Sequence, residues 1–406
     1  MSNKSFKNII KEGIRDSFII WKEEFRNVIH DAGVIIFFIV APLGYPLLYC
    51  FIYDNEVAKE VCMVVVDDCN TPQSREFSRL CDATRDVRIV GKASNMEEAK
   101  HMLREKKAYG IMMIPSDFSK KIVRDEKTYV VLYSDMSSLL YYKAFLVTLT
   151  DVSLEMGKDI QIERMAGLSS REQEVIAAPI EYEDVTYFNP QNGFASFLIP
   201  AVLILVIQQT MLMGIALLSG AAKDKNTYRD LLPIQRHYRG TFRIVFGKSL
   251  CYLMIYSVVA VYLLWCVPII FSLPQMGDGF AILEFIFPFL LSCIFFSLTI
   301  VSFVRDRESS FVIFIFMSLI LLFLSGISWP ASEVPWHWKS ISYLFPSTFG
   351  IQGFIKMNTM GATLNQVSFE YTALWIQTFF YFIGAFLVFR WQIIRSEKIY
   401  RKNKHV

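Results

Sequence analysis

Six long apolar runs, at 34–53, 194–219, 244–271, 280–304, 311–329 and 370–391, constrain this chain more than any other feature. Each comes near or above the ~20 residues that take a helix across a bilayer. The chain is also 53% hydrophobic and 15% aromatic with a mean hydropathy of +0.36, more apolar surface than an ordinary soluble fold buries. These observations predict an α-helical integral membrane protein with six transmembrane helices.

The first run begins too late, and after too much charge, to be a cleaved signal peptide. Ala41-Pro42-Leu43-Gly44-Tyr45-Pro46 lies inside it and not beyond it as a cleavage site would, so it reads as a retained helix kinked by its prolines. Lysine and arginine in short loops set orientation. They crowd the segment before the first run, the loop from Lys223 to Arg243, the Arg305–Arg307 turn and the end from Arg390 onward, whereas 272–279 has none. Both termini are therefore expected in the cytoplasm of a bacterial inner membrane. The expected layout is a cytoplasmic amphipathic helix at 1–33, the first transmembrane helix at 34–53, an inserted extracytoplasmic α/β domain at 54–193, helices two to six over 194–391 with a re-entrant segment at 330–365, and a basic cytoplasmic tail at 392–406. Topology accounts for the basic residues, and a formal net charge of +3 calls for no nucleic-acid partner.

In the N-terminal segment Phe6, Ile10, Ile14, Phe18, Trp21, Phe25 and Ile29 recur at helical spacing with charged residues between them. This predicts a helix along the cytoplasmic interface, either a simple anchor or also a surface for a cytoplasmic partner. The segment from 54 to 193 alternates strand and helix signals. Val61–Val66 reads as a strand buried on both faces, Thr71-Pro72 as a helix start, Val87–Val90 as a strand and Ser94-Asn95-Met96-Glu97 as a capping box. Tyr109–Ile114 and Thr128–Tyr133 read as further strands, with a helix from Ser137 to about Ala166. The pattern implies a small α/β domain with a largely parallel sheet, where Asp67 and Asp68 at a strand end serve either the turn or a contact site. Cys62, Cys69 and Cys81 allow at most one disulfide there, and no histidine stands at metal-ligand spacing beside them.

No motif supports catalysis, a metal or a cofactor. Gly247-Lys248-Ser249 resembles the end of a phosphate-binding loop, but Phe242 stands where that motif needs glycine and the tripeptide opens an apolar helix. Lys248 is expected to reach toward the cytoplasmic interface. Gln208 and Gln209 lie near the middle of the second span, where side-chain amides need partners, so they either bond other helices or line a translocation path. Glu284, inside the fourth span, is an interfacial carboxylate or another contact on that path. After the fifth span, Trp329, Pro330, Pro335, Trp336 and Pro346 break the chain too often for one spanning helix. They predict short re-entrant helices that cap a dimer seam or gate an exit.

Three stretches together resemble the membrane permease subunits of type 2 ABC exporters, in the branch with a large domain between the first two spans. They are Val64-Val65-Val66-Asp67-Asp68-Cys69-Asn70 followed by Ser74-Arg75-Glu76-Phe77, then Tyr109–Phe118 with its Gly110, Ile114-Pro115 and Asp117-Phe118, and the Ser325–Pro330 run with Pro335 and Pro346. The resemblance implies an export permease for a small hydrophobic or amphipathic substrate, with no nucleotide site of its own. It would work with cytoplasmic ATPase subunits and a second permease, the same or a homologous chain. A periplasmic adaptor is a further candidate partner for the outer domain. The family's coupling loop matches 224–232, which implies contacts from Thr227, Tyr228, Arg229, Asp230, Leu231 and Leu232, although the family's Glu-x-Gly-Thr pattern is kept only at Thr227. Tyr228, Leu231 and Leu232 offer an apolar edge, with Arg229 and Asp230 as its rim. The alternative is a non-transporting receptor or envelope scaffold whose outer domain binds a ligand or partner.

Overall fold

Two kinds of sequence pattern give two compact units: Met1–Asp54 with Tyr187–Val406, and Asn55–Thr186. The structure, a computed structural model, describes residues 6–53, 58–165, 171, 176, 187–189, 193–231, 234, 240–327, 329 and 332–403.

In Asn55–Thr186 the chain forms β1 Val61–Asp67, α3 Pro72–Asp82, β2 Val87–Ala93, α4 Met96–Arg104, β3 Gly110–Ile114, α5 Phe118–Val123, β4 Val131–Ser134 and α6 Leu139–Arg164. Helices α1 and α2 precede them in the other unit and are described below. The sheet order is β2-β1-β3-β4. The first two pairings are parallel, and β4 runs antiparallel to β3. The connection between those two strands, 115–130, holds only the six-residue α5, and β4 comes back along β3 in the opposite direction. Alternate residues of β1 feed two cores, which is why Val61–Val66 is apolar throughout. Met63 and Val65 pack with Met112, Phe77 and Phe145 on one face, while Val64 and Val66 pack with Ile111 and Ala99 on the other.

Thr71 caps α3 with Pro72 following it, as expected, and the cap closes into a box with Ser74 that the sequence expectation does not include. At α4 the cap lies one residue later than expected: Asn95 accepts from the Glu98 amide (2.9 Å), and Glu98 accepts from the Ser94 amide (2.7 Å). The Asp67 carboxylate is used within its own turn, accepting from the amides of Cys69 and Asn70 and from the Ser74 hydroxyl (2.8 Å). Asp67 thus serves the turn. The three cysteines of this unit are free thiols.

The other unit is helical. Its elements are α1 Phe6–His30, α2 Ala32–Ile52, α7 Phe194–Asp224, a 3-10 turn Thr227–Leu231, α8 Gly240–Ile270, α9 Gly279–Ile300, α10 Ser309–Leu324, α11 Trp336–Ser342, α12 Pro346–Asn358 and α13 Ser368–Asn403. Among the described residues, five of these (α2, α7, α8, α9 and α13) are long and apolar enough to cross a membrane. The run expected to be the fifth of six spans is α10, whose 16 residues rise only ~24 Å. Ser325 ends it and Gly326 follows at φ +84°, a left-handed conformation that glycine adopts without strain. Helix α7 is the hub, with 83% of its most apolar window buried against 22% for α2. Gly214 of α7 admits the Phe38 ring of α2 where any Cβ would collide.

Both α2 and α8 contain a π-helical stretch, Ile36–Val40 and Tyr262–Cys266, ending two residues before Pro42 and Pro268. Proline lacks an amide hydrogen and its ring crowds the carbonyl four residues back, and a wider turn relieves both problems. The Tyr262 hydroxyl donates to the Leu43 carbonyl (3.1 Å), joining the two π-helical regions.

Burial pushes the Cys81 thiol up to about 12. Burial would also raise Cys69, but its hydrogen bonds with Thr71 and Ser119 together outweigh that and lower it. Thiolate is the reactive form, so N-ethylmaleimide at about neutral pH should modify Cys69 well before Cys81. Peptide mass spectrometry over a time course checks this, and equal rates would contradict it.

Candidate functional site

Charged side chains that looked topogenic in the sequence instead tie the helices together at one end of the bundle. Helix α1 lies against α8, where Gly247 has no room for a Cβ beside the Ser17 carbonyl and Ile20. This close approach is what the glycine of the phosphate-loop-like tripeptide provides. Lys248 does not reach outward as expected. It pairs with the buried Glu24 of α1 (2.5 Å), which also accepts from the Tyr252 hydroxyl. Arg243 pairs with Asp16 (2.7 Å). Helix α1 therefore turns Ser17, Ile20, Glu24 and Val28 into the bundle, and its apolar stripe, including Ile14, Phe18 and Ile29, stays exposed.

The same end holds a second network. Arg307 forks onto Asp31 at 2.6 and 2.8 Å, and its backbone amide lies 3.4 Å from an Asp224 carboxylate oxygen. Lys223 donates to the carbonyls of Val301 and Val304 as α9 ends. These bonds satisfy acceptors that a helix terminus leaves open.

Between the networks runs the loop that the resemblance assigns to coupling. Asn226, at φ +52°, turns the chain out of α7 and accepts from Ser396 of α13 (2.7 Å). Tyr228 is buried, its hydroxyl 2.8 Å from Ser219 and its ring beside Phe389. It anchors the loop and is not part of an exposed apolar edge, which corrects the sequence expectation. Aromatic residues are placed by burial of the ring, and spacing alone does not reveal which way the ring turns. Leu231 packs partly against the core, and Leu232 lies outside the described residues. Thr227, Arg229 and Asp230 face outward. A cavity of about 440 Å³ opens between loop and α1, lined by Glu23, Asn27, His30, Lys225, Thr227 and Asp230 and reaching Glu24 and Lys248.

Deeper in the bundle, α12 begins at Pro346 among apolar neighbours. Its Ser347 amide donates to Gln208 Oε1 across 2.5 Å, so a side chain of α7 caps a helix distant in sequence. The Cys293 thiol of α9 lies 3.7 Å from the same oxygen. Gly350 and Gly353 let α12 press on the rings of Phe289 and Phe285. Gln377 of α13 accepts from Ser292 (3.3 Å) and donates to the Tyr343 carbonyl (2.7 Å). Gln208 and Gln377 thus bond between helices, as most buried amides do.

The path residues inferred from sequence do not converge. Gln208 sits in this core, Gln209 turns toward the Ser318 carbonyl of α10 (3.5 Å), and Glu284 is exposed on α9. Of the gate residues, Trp329 and Trp336 are largely exposed, at 60% and 80%, while Pro335 caps α11 and Pro346 is buried. Pro330 lies outside the described residues. Sequence reasoning missed Ser347, Ser292, Gln377 and Glu24. Proline at the first turn of α12 was the available signal, because a helix start needs acceptors for its amides.

Fold and interior together define a polytopic membrane protein whose apolar core holds a short internal helix capped by a buried amide. Residues 32–387 match the family described as ABC-2 family transporter protein, and the chain belongs to that family. No curated protein matches it closely enough to count as a relative. Membership makes this chain a membrane permease of ABC transporters and implies association with ATP-binding subunits.

Removing one partner of a buried ion pair strands the other's charge. Lys248→Met should therefore lower stability by about 3–5 kcal/mol, and adding Glu24→Leu should recover most of it. Thermal unfolding in detergent micelles measures both.

Proposed function

We propose that this permease exports a small hydrophobic or amphipathic compound across a bacterial inner membrane, driven by separate ATPase subunits. The observation that carries this is the 3-10 turn. Tyr228 and Asn226 fix it to α7 and α13, while Thr227, Arg229 and Asp230 face outward beside α1. A turn anchored in the bundle passes a push from outside to the helices that hold it, as rigid-body switching requires. On this reading both termini and the 224–231 loop face the cytoplasm, and Asn55–Thr186 lies outside, available to an adaptor. The segment 330–365 re-enters the membrane from outside, and a second permease of the same or homologous sequence completes the translocation path. The basic residues along the loop and the end of α13 support this orientation.

The test uses co-purification of the full chain with its ATPase. Asp230→Lys should weaken that association without lowering the unfolding temperature, since this side chain faces outward. Tyr228→Ala should lower both, because it removes the anchor. Full retention of the ATPase by the charge-reversed protein would remove the loop from the interface.

A further inference from the structure

Among the buried side-chain atoms without a hydrogen-bond partner, two belong to residues that are themselves bonded to each other. Gln208 Nε2 and Ser347 Oγ have no partner among the described residues, although both residues are fully buried. They belong to the two residues joined by the cap, the Ser347 amide donating to Gln208 Oε1. That bond fixes which end of the side-chain amide is oxygen, so the unmatched end is the donor. Each buried polar group without a partner costs on the order of 1–3 kcal/mol. Replacing Ser347 by alanine would remove one such cost with no loss of packing volume beyond a single atom.

The cluster has a definite chemistry. It offers the Gln208 amide N–H groups, the Ser347 hydroxyl and the positive end of the 13-residue α12. Neither Gln208, Ser347 nor their neighbour Cys293 carries a formal charge as a carboxylate or ammonium does. Such a site suits an acceptor oxygen and rejects a cation. Helices that begin inside a membrane protein commonly aim their amino ends at polar groups of a transported molecule. We propose that Gln208 and Ser347 bind an acceptor oxygen, carbonyl or phosphoryl, of an amphipathic cargo. The Gln208 oxygen caps α12, and its nitrogen, with the Ser347 hydroxyl, holds the cargo. This assignment rests on the export reading for the identity of the ligand as cargo.

Nile red is a suitable probe, a neutral amphiphile with one carbonyl acceptor whose emission moves to the red when that carbonyl accepts a hydrogen bond. It is titrated into the full-length permease with its ATPase in lipid nanodiscs, with protein-free nanodiscs subtracted. The wild type should bind saturably with red-shifted emission. Ser347→Ala should bind about tenfold more weakly, the worth of one good hydrogen bond, and emit further to the blue. Its unfolding temperature should hold or rise, which a structural role for the hydroxyl would not produce. Gln208→Leu should lose the binding and also lower the unfolding temperature, because it uncaps α12. Unchanged affinity and emission in Ser347→Ala would overturn the proposal and leave water as the occupant. Absence of saturable binding to the wild type would overturn it as well. If the permease fails to retain an ATPase, the export reading falls, while the comparison of wild type with Ser347→Ala still decides the site.

Discussion

A helix that starts away from water presents amide hydrogens that nothing nearby can satisfy, and the rest of this bundle is arranged around that constraint. Helix α12 starts in such a place, and Gln208 supplies the acceptor from α7. The bond requires α7 to stand at the centre, surrounded on nearly every side. It requires α12 to lie close enough for one side chain to reach, which Gly350 and Gly353 permit by admitting phenylalanine rings of α9. Exchanging either glycine for a larger residue would push α12 away from its cap, so packing and hydrogen bonding depend on the same spacing.

At the end of the bundle that carries the charged residues, ion pairs take over the role that Gln208 has in the interior. Glu24 with Lys248, Asp16 with Arg243 and Asp31 with Arg307 each join elements far apart in sequence. Exposed pairs contribute little to stability, but these are wholly or partly withdrawn from water and their geometry is correspondingly specific. They attach α1 to α8, and the turn after α9 to the junction of α1 and α2. That end of the bundle therefore holds several elements fixed to one another.

Much of this was legible in the sequence because periodicity and length report burial directly. The apolar runs located α2, α7, α8, α9 and α13, and Thr71-Pro72 located the start of α3. Val61–Val66 was recognisable as a strand covered on both faces. What escaped was decided by partners remote along the chain. Lys248 looked like a surface lysine because its counter-charge, Glu24, lies on α1. Tyr228 looked like a contact residue because Phe389, whose ring packs on it, lies on α13. The apolar run at 311–329 promised a full span, but Ser325 and Gly326 close α10 early, and hydropathy takes no account of a backbone break. Gln208 and Gln209, adjacent in sequence, were expected to share a role. Successive residues on a helix point about 100° apart, and they serve different neighbours.

The paired π-turns of α2 and α8 carry a mechanical consequence. A π-turn holds one more residue than an α-turn of similar rise, so each of these helices contains a small length of slack that can be wound in or paid out along its axis. The Tyr262 hydroxyl on the Leu43 carbonyl ties the slack of one helix to the backbone of the other. Rewinding α2 at its π-turn would therefore be felt by α8, which is itself packed into the core through Tyr252, Tyr256 and Leu263.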